Sequence, residues 1–221
     1  MLRLPTGNMS SEDARRETLF GTIPNILTVA RMASTIPLCA LVLNDQMTAA
    51  CGLFVVSGAL DWADGAIARA VPGQSSVLGS FLDPVADKLL IAGATLSLAA
   101  TGHIAPLVTG VIVSRDVGLV VAGFLYRGLT KPADAPFFST TRGDSFQVTP
   151  SRLSKANMAA QVGLVSLALA NGAGLMGAAG GGIVTGVSAV VVATTLGSWY
   201  GYARTPTFAR LLSLLRKRAG V

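Results

Sequence analysis

The sequence predicts an all-α fold, a polytopic membrane protein with six transmembrane helices, and three observations carry that prediction. Of 221 residues, 51% are hydrophobic and only 13% are charged, whereas a soluble domain has about 25% charged residues. Apolar stretches close to the length of about 20 residues that crosses a bilayer as a helix recur along the chain, and the mean hydropathy is +0.60. Lysine and arginine collect in alternate connections between those stretches. Disordered chains, disulfide scaffolds and nucleic-acid binders are thereby excluded. The net charge of +6 comes from scarce acids and from basic clusters beside apolar segments, which suits anionic membrane lipid better than nucleic acid.

Residues 1–22 read as an N-terminal inner-side segment; Glu12, Asp13 and Glu17 among its arginines make it a poor transit peptide. The transmembrane domain, 23–203, contains spans at 24–43, 47–68, 80–101, 104–126, 156–173 and 182–203. Each is helical because lipid offers the backbone no other hydrogen-bond partner. Cys39 and Cys51 lie inside the first two and read as small membrane-core residues. His103, in the short loop after the third, reads as an interfacial residue. The loop 127–154, with Pro132, Pro136, Gly143 and Pro150, reads as a polar inner-side connection with room to cover a site. In the glycine-rich tract 171–187, Gly177 with Gly181 and Gly182 with Gly186 are spaced for close helix packing. Residues 204–221 form a basic tail with Arg204, Arg210, Arg216, Lys217 and Arg218. Arg3, Arg15 and Arg16, the basic residues of loop 127–154 and this tail all fall on one side, so both termini are expected on the inner side.

Four of the eleven acids, Asp61, Asp64, Asp83 and Asp87, crowd into the end of the second span and the start of the third. Ionisable groups are costly at membrane depth and default to function. Spacings of three and four put each pair on one face of its helix, so four carboxylates converge. Unpaired they would repel one another; divalent cations would neutralise them, and hard oxygen ligands without nearby histidine or cysteine point to Mg²⁺ or Mn²⁺. Gly65 and Ala68 leave room for a large anionic group. Arg31, Arg69, Lys88, Arg115 and Lys155 fall near the inner halves of their spans, which suggests a phosphate-bearing substrate. A bland alternative for Arg115, Asp116 and Lys88 is a set of helix-end salt bridges.

The stretch from Asp61 to Asp87, DWADGAIARAVPGQSSVLGSFLDPVAD, resembles the signature of the CDP-alcohol phosphatidyltransferases, D-x2-D-G-x2-A-R followed by G-x3-D-x3-D. Asp61, Asp64, Gly65, Ala68, Arg69, Gly79, Asp83 and Asp87 match it. Within the family the chain is most similar, over roughly 22–203, to the eukaryotic-type, CMP-forming cardiolipin synthases. TIPNILTVAR (Thr22 to Arg31), the nine-residue spacer, Ser114-Arg115-Asp116 and Ser154-Lys155-x-Asn157-x-x-x-Gln161 carry that similarity. Met158 departs from the subgroup's usual threonine, and Thr149 from a more basic position.

The resemblance implies a six-helix fold, usually dimeric, and transfer of a phosphatidyl group from CDP-diacylglycerol to phosphatidylglycerol, giving cardiolipin and CMP. Carried over by position, Asp61, Asp64, Asp83 and Asp87 hold Mg²⁺ or Mn²⁺, two ions, and Asp87 is also the general base. Asp61, Asp64, Gly65, Ala68, Arg69, Gly79, Asn25 and Thr28 line the donor site, and Arg31, Arg115, Lys155 and Asn157 face the acceptor phosphate. The alternative acceptor is glycerol 3-phosphate, as in phosphatidylglycerophosphate synthases, which usually carry a lysine where Asn157 stands. A reading of another class, a small ion-coupled transporter, expects a coupling site near the midplane and internal repeats, and the sequence has neither. The resemblance further implies the mitochondrial inner membrane with a matrix-facing site, or the plasma membrane for a bacterial chain.

Overall fold

The computed structural model describes residues 23–70, 77–130 and 152–205 together with Phe208 and Ser213; the side chains of 23–25, 64–70, 77–84, 124, 126–130 and 152 fall outside that description. Among the described residues six long helices follow one another: α1 (Ile23–Leu43), α2 (Met47–Ala70), α3 (Val77–Ala100), α4 (Pro106–Thr130), α5 (Arg152–Gly172) and α6 (Gly180–Ala203). A single 3-10 turn, Gly177–Ala179, precedes α6, and no strand occurs among the described residues. The segments 1–22, 71–76 and 131–151 and most of the tail beyond 205 lie outside the described residues, as does the loop expected to cover the site.

Each expected span falls on one described helix, in the same order, with one consistent difference in the helix bounds. From α2 to α5 the helix runs past the apolar stretch at the end that carries the charges. A helix satisfies its own backbone, so it continues into polar sequence once lipid has nucleated it. Among the described residues, four segments are long and apolar enough to cross a membrane: Ile26–Leu43, Pro106–Gly123, Leu153–Gly172 and Gly177–Ala203, the last including the 3-10 turn. In α2 the apolar part is Met47–Ala63, and α3 carries Asp83, Asp87 and Lys88, so the two helices that bear the four signature acids are the ones that hydropathy alone does not mark as spans.

Three short connections, 44–46, 101–105 and 173–179, lie at one end of the bundle, here the turn end. Gly102 and Gly174, at φ +80° and +75°, end α3 and α5 in the left-handed conformation that a side chain disfavours. There Gly172 lets Met47 and His103 approach: a Cβ on it would lie 2.9 Å from Met47 Cγ and 3.0 Å from the imidazole. His103 Nδ1 is 3.0 Å from Thr101 Oγ1.

α1 packs against both α2 and α3; α5 pairs with α6 and also touches α2 and α3, and α4 bridges α3 and α6. The apolar core, with Leu38, Val42, Met47, Leu98, Ile104 and Leu169 fully buried, fills the turn-end half. The opposite half buries Thr28, Arg31, Arg115, Asp116, Asn157 and Gln161 instead. The two ends of one bundle thus have different interiors, and the polar one is the site end.

Two packing expectations need correction. Gly177 stands in the 3-10 turn at φ +60°, and a Cβ on Gly181, Gly182 or Gly186 meets nothing within 4 Å, so among the described residues these glycines bring no other helix close. Close approach occurs instead at Gly93 of α3, where a Cβ would collide with Thr35 Cγ2 at 2.6 Å and Cys39 Sγ at 3.0 Å of α1. Small-residue spacing marks a face that permits contact, and only the helix's rotation decides whether a neighbour uses it. Cys39 and Cys51 are both free and half-buried.

Candidate active site

Arg31 lies eight residues into α1 with its side chain 2% exposed, and its guanidinium lies between α2 and α3. Nη1 forms an ion pair with Asp61 of α2 and another, at 2.9 Å, with Asp87 of α3. Two carboxylates from different helices therefore converge on one nitrogen, and α1 supplies the group they share. Asp61 is 49% exposed and Asp87 30%, so both keep an open side toward solvent or substrate. Arg31 Nε and Nη2 have no hydrogen-bond partner among the described residues. Beside it, Ser34 Oγ donates to the Arg31 carbonyl at 2.7 Å and lies 3.2 Å from Ser57 Oγ, tying α1 to α2 at this level. Thr28, one turn before Arg31, is fully buried.

The side chains of Asp64, Gly65, Ala68, Arg69, Gly79, Asp83 and Asn25 lie outside the described residues, although their backbones are helical. Among the described residues no group of three or more histidine, cysteine or acidic side chains gathers. Of the four acids expected to hold a metal, the two with described side chains, Asp61 and Asp87, offer the hard carboxylate oxygens that a divalent cation takes, and both meet Arg31 Nη1.

A second charged cluster ties α3, α4, α5 and α6 together. Asp116 Oδ1 accepts from Lys88 Nζ at 3.1 Å and from Arg115 Nη1 at 2.6 Å. Arg115 Nη2 donates to Ser154 Oγ at 2.9 Å and Ser198 Oγ at 3.0 Å, and the guanidinium stands 5.9 Å from the Tyr202 ring centroid. The salt-bridge alternative for Lys88, Arg115 and Asp116 is thus present as geometry, in the interior of the bundle and not at its edge. Ser154, Ser198 and Tyr202 were not expected as site residues. Ser154 had a signal, since it opens the motif that contains Lys155 and Asn157; Ser198 and Tyr202 sit in an apolar stretch with none.

The four residues expected around the acceptor phosphate do not form one cluster. Arg31 joins the acids and Arg115 joins Asp116. Asn157 is fully buried and accepts from Thr194 Oγ1 and Thr195 Oγ1 of α6, both at 2.8 Å. Lys155 is exposed; two residues apart on a helix means about 200° apart, so Lys155 and Asn157 point to different sides of α5. Asn157 Nδ2 and, one turn on, Gln161 Nε2 are buried without a hydrogen-bond partner among the described residues.

Several helices apolar enough to cross a membrane, in an all-helical bundle that gathers its charged groups at one end, define a membrane protein. Sequence comparison gives the family. The CDP-alcohol phosphatidyltransferase family profile matches residues 21–200, and the chain belongs to that family. A probable CMP-forming cardiolipin synthase of Drosophila melanogaster is 37% identical over 151 residues, 67% of this chain and 47% of the relative. The CMP-forming cardiolipin synthase of Rattus norvegicus is 38% identical over 156 residues, 67% of this chain and 50% of the relative. A chloroplastic CDP-diacylglycerol–glycerol-3-phosphate 3-phosphatidyltransferase of Oryza sativa is 34% identical over 155 residues, 68% and 46% of the two chains. The chain spans about half the length of the curated relatives it matches.

Proposed function

We propose that this protein is a CMP-forming cardiolipin synthase, transferring the phosphatidyl group of CDP-diacylglycerol to phosphatidylglycerol. The observation that carries the chemistry is the convergence of Asp61 and Asp87 in a chain of this family. The choice of acceptor is supported by matches of similar length, 37% and 38% identity over 151 and 156 residues to the two cardiolipin synthases against 34% over 155 residues to the rice glycerol-3-phosphate enzyme. Asp61, Asp64, Asp83 and Asp87 would hold Mg²⁺ or Mn²⁺. When bound, the cations supply neutralisation of the phosphoryl oxygens and of the oxygen that leaves.

The chain's own groups do the rest. Asp87 takes the proton of the attacking glycerol hydroxyl as that oxygen bonds to the phosphatidyl phosphorus; the bond to the CMP oxygen breaks, and CMP departs with the electron pair. A carboxylate is a weak base toward an alcohol, so position must supply much of the rate. Arg31 orients Asp87 through the ion pair at 2.9 Å. Gly65, Ala68, Arg69 and Gly79, with Asn25 and Thr28, line the donor site. Asn157 and Lys155 belong to the acceptor side in this reading, with Arg115.

All six helices cross the membrane in this reading, the site end and both termini facing inward. A eukaryotic chain would lie in the mitochondrial inner membrane and a bacterial one in the plasma membrane, in either case as a homodimer. The test is CMP release and product identification with purified protein, CDP-diacylglycerol and Mg²⁺. Cardiolipin is expected from phosphatidylglycerol and lost with chelator; product from glycerol 3-phosphate alone moves the assignment to phosphatidylglycerophosphate synthesis.

A further inference from the structure

The two helices that carry the signature acids reach them early. At the turn end α2 starts with Met47 and α3 closes with Ala100. At 1.5 Å per residue, Asp61 stands about 21 Å from that end of α2 and Asp87 about 20 Å from that end of α3. The hydrocarbon of a bilayer is about 30 Å thick. Other spans match it: Ile26–Leu43 and Pro106–Gly123 run about 27 Å and Leu153–Gly172 about 30 Å. With the turn end at one face of a flat membrane, both acids would lie about 10 Å inside the other face, and helix tilt would only deepen them. Asp61 nevertheless faces outward. It is 49% exposed, and Trp62 beside it is 75% exposed. Gly58, Asp61 and Trp62 share one side of α2, and a Cβ on Gly58 would meet nothing within 4 Å, so among the described residues no other helix covers that side one turn below the acid. α2 therefore shows a carboxylate and an indole to lipid at a depth where a flat bilayer offers only acyl chain. A charge there is costly, and an indole favours the headgroup boundary. A span shorter than the bilayer thins the bilayer around it, and the apolar part of α2, Met47–Ala63, is about 25 Å long.

We propose that the inner leaflet thins along the outer face of α2, which lowers phospholipid headgroups to the level of Asp61 and sets Trp62 in the lowered boundary. This rests on the reading in which all six helices cross the membrane, and it adds the route by which a lipid substrate reaches the carboxylates. A lipid diffusing in the leaflet brings its phosphate to Asp61 while its acyl chains stay in hydrocarbon. In a flat bilayer the same phosphate would have to enter hydrocarbon as an uncompensated charge.

Trp62 and Trp199 are the two tryptophans of the chain, and they make the depth measurable. Trp199, half exposed on α6, stands about 28 Å from Gly180, at the boundary of a flat bilayer, and Trp62 about 22 Å from Met47, well inside it. Trp199→Phe and Trp62→Phe each leave one indole as reporter. The full chain is reconstituted into vesicles of phosphatidylcholine and phosphatidylglycerol whose acyl chains carry a spin label either near the ester or near the chain end. Trp199, the reference, is expected to lose more emission to the label near the ester. Trp62 is expected to do the same, despite its deeper place along its helix. Greater loss of Trp62 emission to the chain-end label, with Trp199 still shallow, overturns the thinning. So does a Trp62 that neither label reaches, because lipid would then not touch this face. If neither label reaches Trp199 either, the spanning reading falls as well. Should a variant fail to fold, the unsubstituted chain reports both indoles together: the ester label dominates if the leaflet thins, and a distinct part of the emission goes to the chain-end label if it does not.

Discussion

Replacing Arg31 by methionine keeps a long, flexible side chain and removes the cation that Asp61 and Asp87 share. Breaking a fully buried ion pair by deleting one partner costs about 3–5 kcal/mol. Here Arg31 is buried, but Asp61 is 49% and Asp87 30% exposed, so water compensates part of the loss and about 2 kcal/mol is the better expectation. At about 2–4 °C per kcal/mol for a chain of this size, the melting temperature falls by about 4–8 °C. The fall is expected in chelator. With millimolar Mg²⁺ it shrinks, because a divalent cation replaces the missing charge between the same carboxylates. Arg31→Lys should lie between, since one ammonium cannot match a planar guanidinium toward two carboxylates. The assay is thermal unfolding in detergent with and without Mg²⁺. Equal deficits in both conditions would refute the reasoning, because Arg31 would then be stabilising something other than the acids.

Asp87→Asn should abolish turnover while leaving metal-dependent binding of CDP-diacylglycerol partly intact, read by ligand-induced thermal shift; loss of both would make Asp87 chiefly a ligand. Gly93→Val should destabilise by about 1–3 kcal/mol, the range for overpacking, because the space beside its backbone is already occupied by Thr35 and Cys39; melting checks it, and an unchanged melting point would show that α1 and α3 can separate at no cost. Asn157→Leu removes the acceptor of two threonine hydroxyls along with a buried, unpartnered amide nitrogen. Thr194 has helix carbonyls to fall back on. The expected loss is about 1 kcal/mol, and a loss above about 3 kcal/mol would mean that the amide nitrogen holds a further group.

Asp61 and Asp87 could be placed together from sequence because turn spacing and span direction fix depth along a bilayer normal. Arg31 could not be joined to them on those grounds. Its depth was legible, but depth allows several neighbours, and the choice between acids and acceptor phosphate depends on how α1 is rotated. Asn157 shows the same difference: its place in a motif suggested a substrate contact, and packing against α6 gives its carbonyl oxygen to Thr194 and Thr195. The glycines at 181, 182 and 186 were legible as small and not as uncovered.

The amino-acid order by itself determined that the described residues are helical, where their helices lie, and that Asp61 and Asp87 meet at one end. Those are consequences of hydrocarbon thickness and of the cost of charge in lipid, which act on each segment separately. Only the tertiary structure decided which cation meets which carboxylate, that Asp116 holds Lys88 and Arg115 together, and that α1 comes close to α3 at Gly93. Lipid is as apolar as the bundle interior, so a membrane helix need not show an apolar face and a polar face. Its rotation is set by the shapes and hydrogen-bonding groups of the neighbours it meets.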